Sequence, residues 1–153
     1  MKKGIAFILI VISALSLVGC KKEASAEKIL DEFLLMYGGE GTVYSSDKSI
    51  TDEGYITEDV LSKAYVYEGD FPKNFAILLN SRTAKGFECG VFICEGEDER
   101  ATVLEMCRER LDLLSERAEE GIFVRSGNLV FYTTASDKKR AEEIIKKIIR
   151  SYY

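Results

Sequence analysis

Cys89, Cys94 and Cys107 are the side chains in the body of this chain best suited to covalent chemistry. Cys89 and Cys94 stand five positions apart in an alternating apolar segment. A strand there would point them to opposite sides and separate them by about 16 Å, whereas a disulfide tolerates about 7 Å between Cα atoms. Cys89 and Cys107 each fall on a stripe expected to face the core, where a helix packed on a sheet could bring them together. Buried thiols acting as small apolar side chains are the preferred account. The chain has no His, which removes Ser-His and Cys-His nucleophile pairs and the usual zinc ligand sets. Glu95, Glu97, Asp98 and Glu99 cluster without the spaced oxygens of a calcium loop; favourable interaction with a helix N-terminus accounts for them. Asp47, Asp52, Glu53, Glu58 and Asp59 are scattered, and sequence does not give the carboxylate separation that glycosidase chemistry depends on. Arg100, Arg108, Arg110 and Arg117 alternate with acids at helical spacing and read as a solvated face. No catalytic residue, metal ligand or bound cofactor is therefore assigned.

The fourth cysteine has a different setting. Lys2 and Lys3 form a charged n-region, Ile5 to Val18 supply an apolar stretch, and small Gly19 precedes Cys20, the three parts of a secretory signal. A spanning helix needs about 20 apolar residues, and charge returns here at Lys21. Leu17-Val18-Gly19-Cys20 resembles the lipobox of bacterial lipoproteins. That resemblance implies a thiol joined to diacylglycerol at Cys20 and cleavage on its N-terminal side. One acyl chain anchors only marginally, and two anchor stably. Residues 1–19 are thus expected to be a signal peptide, 20–24 a lipidated Cys with a short tether, and 25–153 one domain. The expected location is the extracytoplasmic face of the cell membrane.

Residues 20–153 carry 19 basic and 26 acidic side chains, a formal charge of −7. That balance argues against nucleic acid, whose binding needs a basic footprint. It also argues against the domain lying flat on anionic lipid. Lys21 and Lys22 would sit at the headgroups, where each contributes about 1 kcal/mol, or would simply keep the tether soluble.

The elements that must position these residues follow from periodicity. Ser25 is a candidate N-cap for a helix with Ala26, Ile29, Leu30, Phe33, Leu34 and Tyr37 at helical spacing, stopped by Gly38-Gly39. Residues 38–54 read mostly as loop, and Thr57 with Glu58 and Asp59 as the start of a short helical turn. Ala64–Tyr67 and Phe75–Leu79 are strand candidates. Phe87–Cys94 is a stronger one, with Phe87, Cys89, Val91 and Ile93 alternating against Glu88, Gly90, Phe92 and Cys94. Asp98–Ala118 reads as the longest helix, with Leu104, Cys107, Leu111, Leu114 and Ala118 in one stripe. Residues 121–126 and 129–134 flank Gly127-Asn128 as a hairpin. Ser136 is read as the cap of a last helix whose inward face is Ala141, Ile144, Ile145, Ile148, Ile149 and Tyr152. An α+β fold is expected, an antiparallel sheet with helices packed mainly on one face.

From Tyr55 to Ile149 the order of elements resembles a family of small lipoproteins from Gram-positive bacteria built on a domain of unknown function. The shared features are Tyr55-Ile56 before the strands, Glu88 within its strand, an acidic entry to a long Arg-bearing helix, Gly127-Asn128 in the hairpin and a final amphipathic helix. The resemblance implies location and fold, and no activity.

The second face of the sheet is the least settled feature. If Phe87, Cys89, Val91 and Ile93 face the long helix, then Phe92 faces away, together with Phe123, Arg125, Val130 and Tyr132 of the hairpin. Either the N-terminal helix covers that face, or Phe92, Phe123 and Tyr132 form an exposed patch that marks a partner site. The function expected is a non-enzymatic binding or accessory module close to the membrane, with a membrane or envelope protein as its possible partner. An envelope hydrolase using carboxylates or a metal is the alternative, and a structural role without a ligand is a third reading.

Overall fold

The computed structural model describes residues 24–67, 69, 71–79, 87–115 and 121–153. Its elements are α1 (Ala26–Tyr37), β1 (Val43–Ser45), α2 (Glu58–Tyr65), β2 (Phe75–Leu78), β3 (Cys89–Ile93), α3 (Glu97–Ser115), β4 (Ile122–Ser126), β5 (Leu129–Thr133) and α4 (Lys138–Tyr152). The strands form one antiparallel sheet in the order β1-β2-β3-β5-β4.

Local chemistry explains most of the boundaries. The Ser25 side chain accepts from the Lys28 amide at 3.3 Å, and Gly38 closes α1 with its amide on the Leu34 carbonyl. The hairpin has the expected register, with Val124 opposite Phe131 and Phe123 opposite Tyr132. Every expected inward residue of α4 is buried. Its cap is Asp137 rather than Ser136, because the Asp137 carboxylate reaches the Arg140 amide at 3.1 Å.

Two elements differ from expectation. Ala64–Tyr67 is not a strand: Leu61 and Tyr65 are the buried face of α2, one turn apart, and the helix ends at Val66. The stretch expected to be loop contains β1, three residues held by pairing Val43, Tyr44 and Ser45 with Leu78, Ile77 and Ala76.

The helices do not pack mainly on one face. Helices α1 and α4 pack on each other and cover Ala76, Leu78, Cys89, Val91, Leu129 and Phe131. Helices α2 and α3 cover Phe75, Ile77, Phe92, Val130 and Tyr132 on the other side. The reason lies in the strands. Every residue of β2 and β5 is buried, so both sheet faces are apolar and each needs its own cover. The long helix α3 accordingly lies over Phe92, opposite to the Cys89 and Val91 face expected for it. Among the described strands, the edge strand β4 alone alternates between half-buried and exposed.

Candidate functional site

A buried charge network occupies the α2/α3 face. Glu88 directly precedes β3, and its side chain falls on the same side as Phe92 because strand side chains alternate. It is 1% exposed. Arg110 of α3 forks onto it, Nε to Oε1 and Nη2 to Oε2, both at 2.7 Å. The remaining Arg110 Nη1 donates to the Ala64 carbonyl at 2.7 Å, which ties α3 to the last turn of α2. Tyr132 Oη donates to Glu88 Oε1 at 2.9 Å, and Tyr65 Oη lies 2.6 Å from Tyr132 Oη. The Glu88 main chain is held by Thr133 and Thr134. One carboxylate thus joins α2, α3 and β5 through a planar bidentate pair, the strongest geometry such a pair can adopt.

Gly90 makes this arrangement possible. A Cβ there would sit within 2.4 Å of the Tyr132 ring, its cross-strand neighbour, so the bare backbone lets the ring lie across the strand. Burial, together with the adjacent Glu88 charge, pushes the Tyr65 phenol well above its ordinary range, and Tyr132 likewise with Tyr65 and Glu88 beside it. Burial works against the Arg110 charge, yet its bonds to Glu88 outweigh this and raise its pKa. No described buried side-chain nitrogen or oxygen lacks a hydrogen-bond partner. The network is therefore a satisfied structural lock between α2, α3 and the sheet.

A more open feature lies at the end of the sheet where α1 begins. A groove of about 540 Å³ runs between the β1–α2 connection, the start of α2 and residues 71–75, with Ile56, Leu61, Phe71 and Phe75 as apolar lining and Ser45 and Lys48 among its polar residues. Glu27 in the first turn of α1 organises this end. It accepts from Ser45 Oγ at 2.6 Å and pairs with Lys48 Nζ at 2.6 Å. Burial alone would raise the Glu27 pKa, but these two partners together lower it, and Glu27 in turn raises that of Lys48. Asp31, one turn further along, is raised by burial and by the nearby Glu27 charge. The Ala26 amide donates to Asn74 Oδ1 at 3.1 Å, which ties the start of α1 to the segment just before β2, whose neighbours Lys73 and Phe75 line the groove.

The residues singled out from sequence fall as follows. Cys20 and its signal lie outside the described residues, as do Arg117 and Ala118. Phe92 and Tyr132 are fully buried, covered by α2 and α3 rather than by α1, so they form no exposed patch; Phe123 on β4 is 37% exposed and stands without them. Cys89, Cys94 and Cys107 are buried with free thiols. Cys89 and Cys107 sit on opposite sides of the sheet and do not meet. Burial pushes Cys89 and Cys107 well up and Cys94 to about 11. Among the described residues, no group of three or more Cys, Asp or Glu could hold a metal ion.

Arg110 is the main departure. It belongs to the buried face and not to the solvated one. Its position three residues after Cys107 continues the Val103–Cys107 stripe, and a carboxylate inside an apolar strand at Glu88 is the matching signal for a buried partner. Lys48 and Asn74 have no such sequence mark, since their roles depend on loops brought together by β1 pairing. No family model, curated protein or solved structure matches the chain.

Proposed function

We propose that this protein is a lipid-anchored extracytoplasmic binding module, held to the membrane by diacylglycerol on Cys20 and akin to the small Gram-positive lipoproteins it resembles. The observation that carries the reading is Leu17-Val18-Gly19-Cys20, set behind a two-Lys n-region and an apolar stretch. The start of α1 supports it. Ser25 caps the helix and Ala26 is already buried, so five residues from Cys20 to Ala24 form the tether. Extended, they span at most about 17 Å. The domain then works against partners in or just above its own membrane.

The binding role rests on the groove beside that tether. It combines an apolar lining with Ser, Lys, Glu and Asp side chains, a mixture of the kind by which small-molecule and peptide sites fix a ligand's orientation.

The test is metabolic labelling with radioactive palmitate and membrane fractionation. The wild-type chain incorporates label and sediments with membranes. Cys20→Ala loses the label and accumulates as precursor. Normal maturation and labelling of Cys20→Ala contradict the proposal.

A further inference from the structure

We propose that the turn Ser49–Asp52 is a membrane-contact element that seats Ile50 among the headgroups and upper acyl chains of the bilayer holding Cys20; this rests on the lipid anchoring proposed above. Ile50 is 78% exposed, an unusual residue to find at the tip of a polar turn. The turn itself is well fixed. Asp52 Oδ2 accepts from the Ser49 amide at 2.8 Å and from Ser49 Oγ at 2.7 Å, and the Asp52 amide returns to the Ser49 carbonyl at 2.9 Å. Ile50 and Thr51 are left at the apex. Beyond it, Gly54 has a φ of +88° and passes so close to β1 that a Cβ would lie 2.1 Å from the Val43 carbonyl oxygen. The loop is pinned at both ends, and its tip carries an aliphatic side chain into solvent.

The occupant follows from where the chain leaves the described fold. The tether enters at Ala24 and Ser25, and the first turn of α1 is joined to this loop through the Glu27 contacts to Ser45 and Lys48. The loop and the attachment point are thus on the same end of the molecule. With so short a tether, the surface nearest to that end is the bilayer. Leu35 provides the contrast. It is even more exposed, at 86%, but lies nine residues further along α1, about 14 Å from its start.

The charges around the tip decide the kind of contact. Asp47, Asp52 and Glu53 flank Ile50, while Lys48 is engaged by Glu27. These acids are repelled by anionic lipid, so contact depends on inserting the apolar side chain and does not strengthen with phosphatidylglycerol content.

The experiment uses the mature lipidated protein in phosphatidylcholine vesicles, with and without phosphatidylglycerol, carrying an environment-sensitive fluorophore on Ile50→Cys or on Leu35→Cys. The three buried native thiols stay unlabelled in the folded protein. Spin-labelled acyl chains are expected to quench the label at position 50 severalfold more than at position 35, and no more strongly with phosphatidylglycerol than without it. Equal quenching at the two positions, with the N-terminal peptide carrying diacylglycerol by mass, overturns the turn proposal and leaves the anchor standing. An N-terminal peptide without lipid overturns both. Shielding of the position-50 label that rises with protein concentration in the absence of vesicles assigns the turn to contact between copies, and also overturns the proposal.

Discussion

The two faces of the sheet are held by different physics. Between the sheet and α1/α4 the core is mainly aliphatic, with Ile29, Leu30, Ile145 and Ile148 packed around Phe33 and Phe131. Between the sheet and α2/α3 it is aromatic, with an ion pair inside: Tyr65, Phe71, Phe92 and Tyr132 surround the lock that Arg110 forms on Glu88. The aliphatic face depends on volume and tolerates many solutions. The aromatic face depends on directions, because a buried carboxylate is acceptable only where every lone pair is matched. The contrast suggests that α1/α4 supply bulk stability and that the lock sets the position of α2, one wall of the groove.

The comparison breaks most easily at Arg110. Arg110→Met leaves the Glu88 carboxylate buried with only Tyr132 as partner, and should cost about 3–5 kcal/mol in urea unfolding. Adding Glu88→Met should restore most of that loss. A single variant no worse than Ile145→Val, whose expected cost is about 0.5–1.5 kcal/mol, would show that the two faces do not differ as described.

Alkaline pH separates the faces next. The Tyr65 and Tyr132 phenols have raised values in the fold, so above the ordinary phenol value of 10.0 the unfolded chain releases protons that the folded chain keeps. Stability is then fully present below pH 10.0 and falls as pH rises beyond it. The thiols add the same trend from 9.0 upward. Melting temperature followed from pH 8 to 11 should be level and then drop, and Tyr65→Phe with Tyr132→Phe should flatten the phenol part of the drop. Tyr65→Phe alone is the smallest effect, about 0.5–1.5 kcal/mol for one hydrogen bond, because Tyr132 keeps Glu88 as its acceptor. The thiols report opening on both faces at once: a thiol reagent should modify Cys89, Cys94 and Cys107 only at the rate of unfolding.

What could be read beforehand follows the same division. The α4 stripe and the hairpin register were legible because one periodicity governs each. Cys89, Val91 and Ile93 were correctly separated from Phe92, but alternation states that two faces exist and not which helix covers which. Helix α2 was obscured by the β-favouring Tyr65-Val66-Tyr67, although Leu61 and Tyr65 stand one helical turn apart. Strand β1 is too short for any period and owes its form to β2. Arg110 was misplaced because acids at helical spacing around it look like a solvated face, while Glu88 waits 22 residues away in the chain.

Membrane attachment is the claim on which the functional account depends. The most direct measurement is the intact mass of the mature protein extracted from membranes. The expected result is a mature chain with Cys20 as its N-terminal residue bearing diacylglycerol. A chain that starts at Met1, or one cut elsewhere and carrying no lipid, would contradict it.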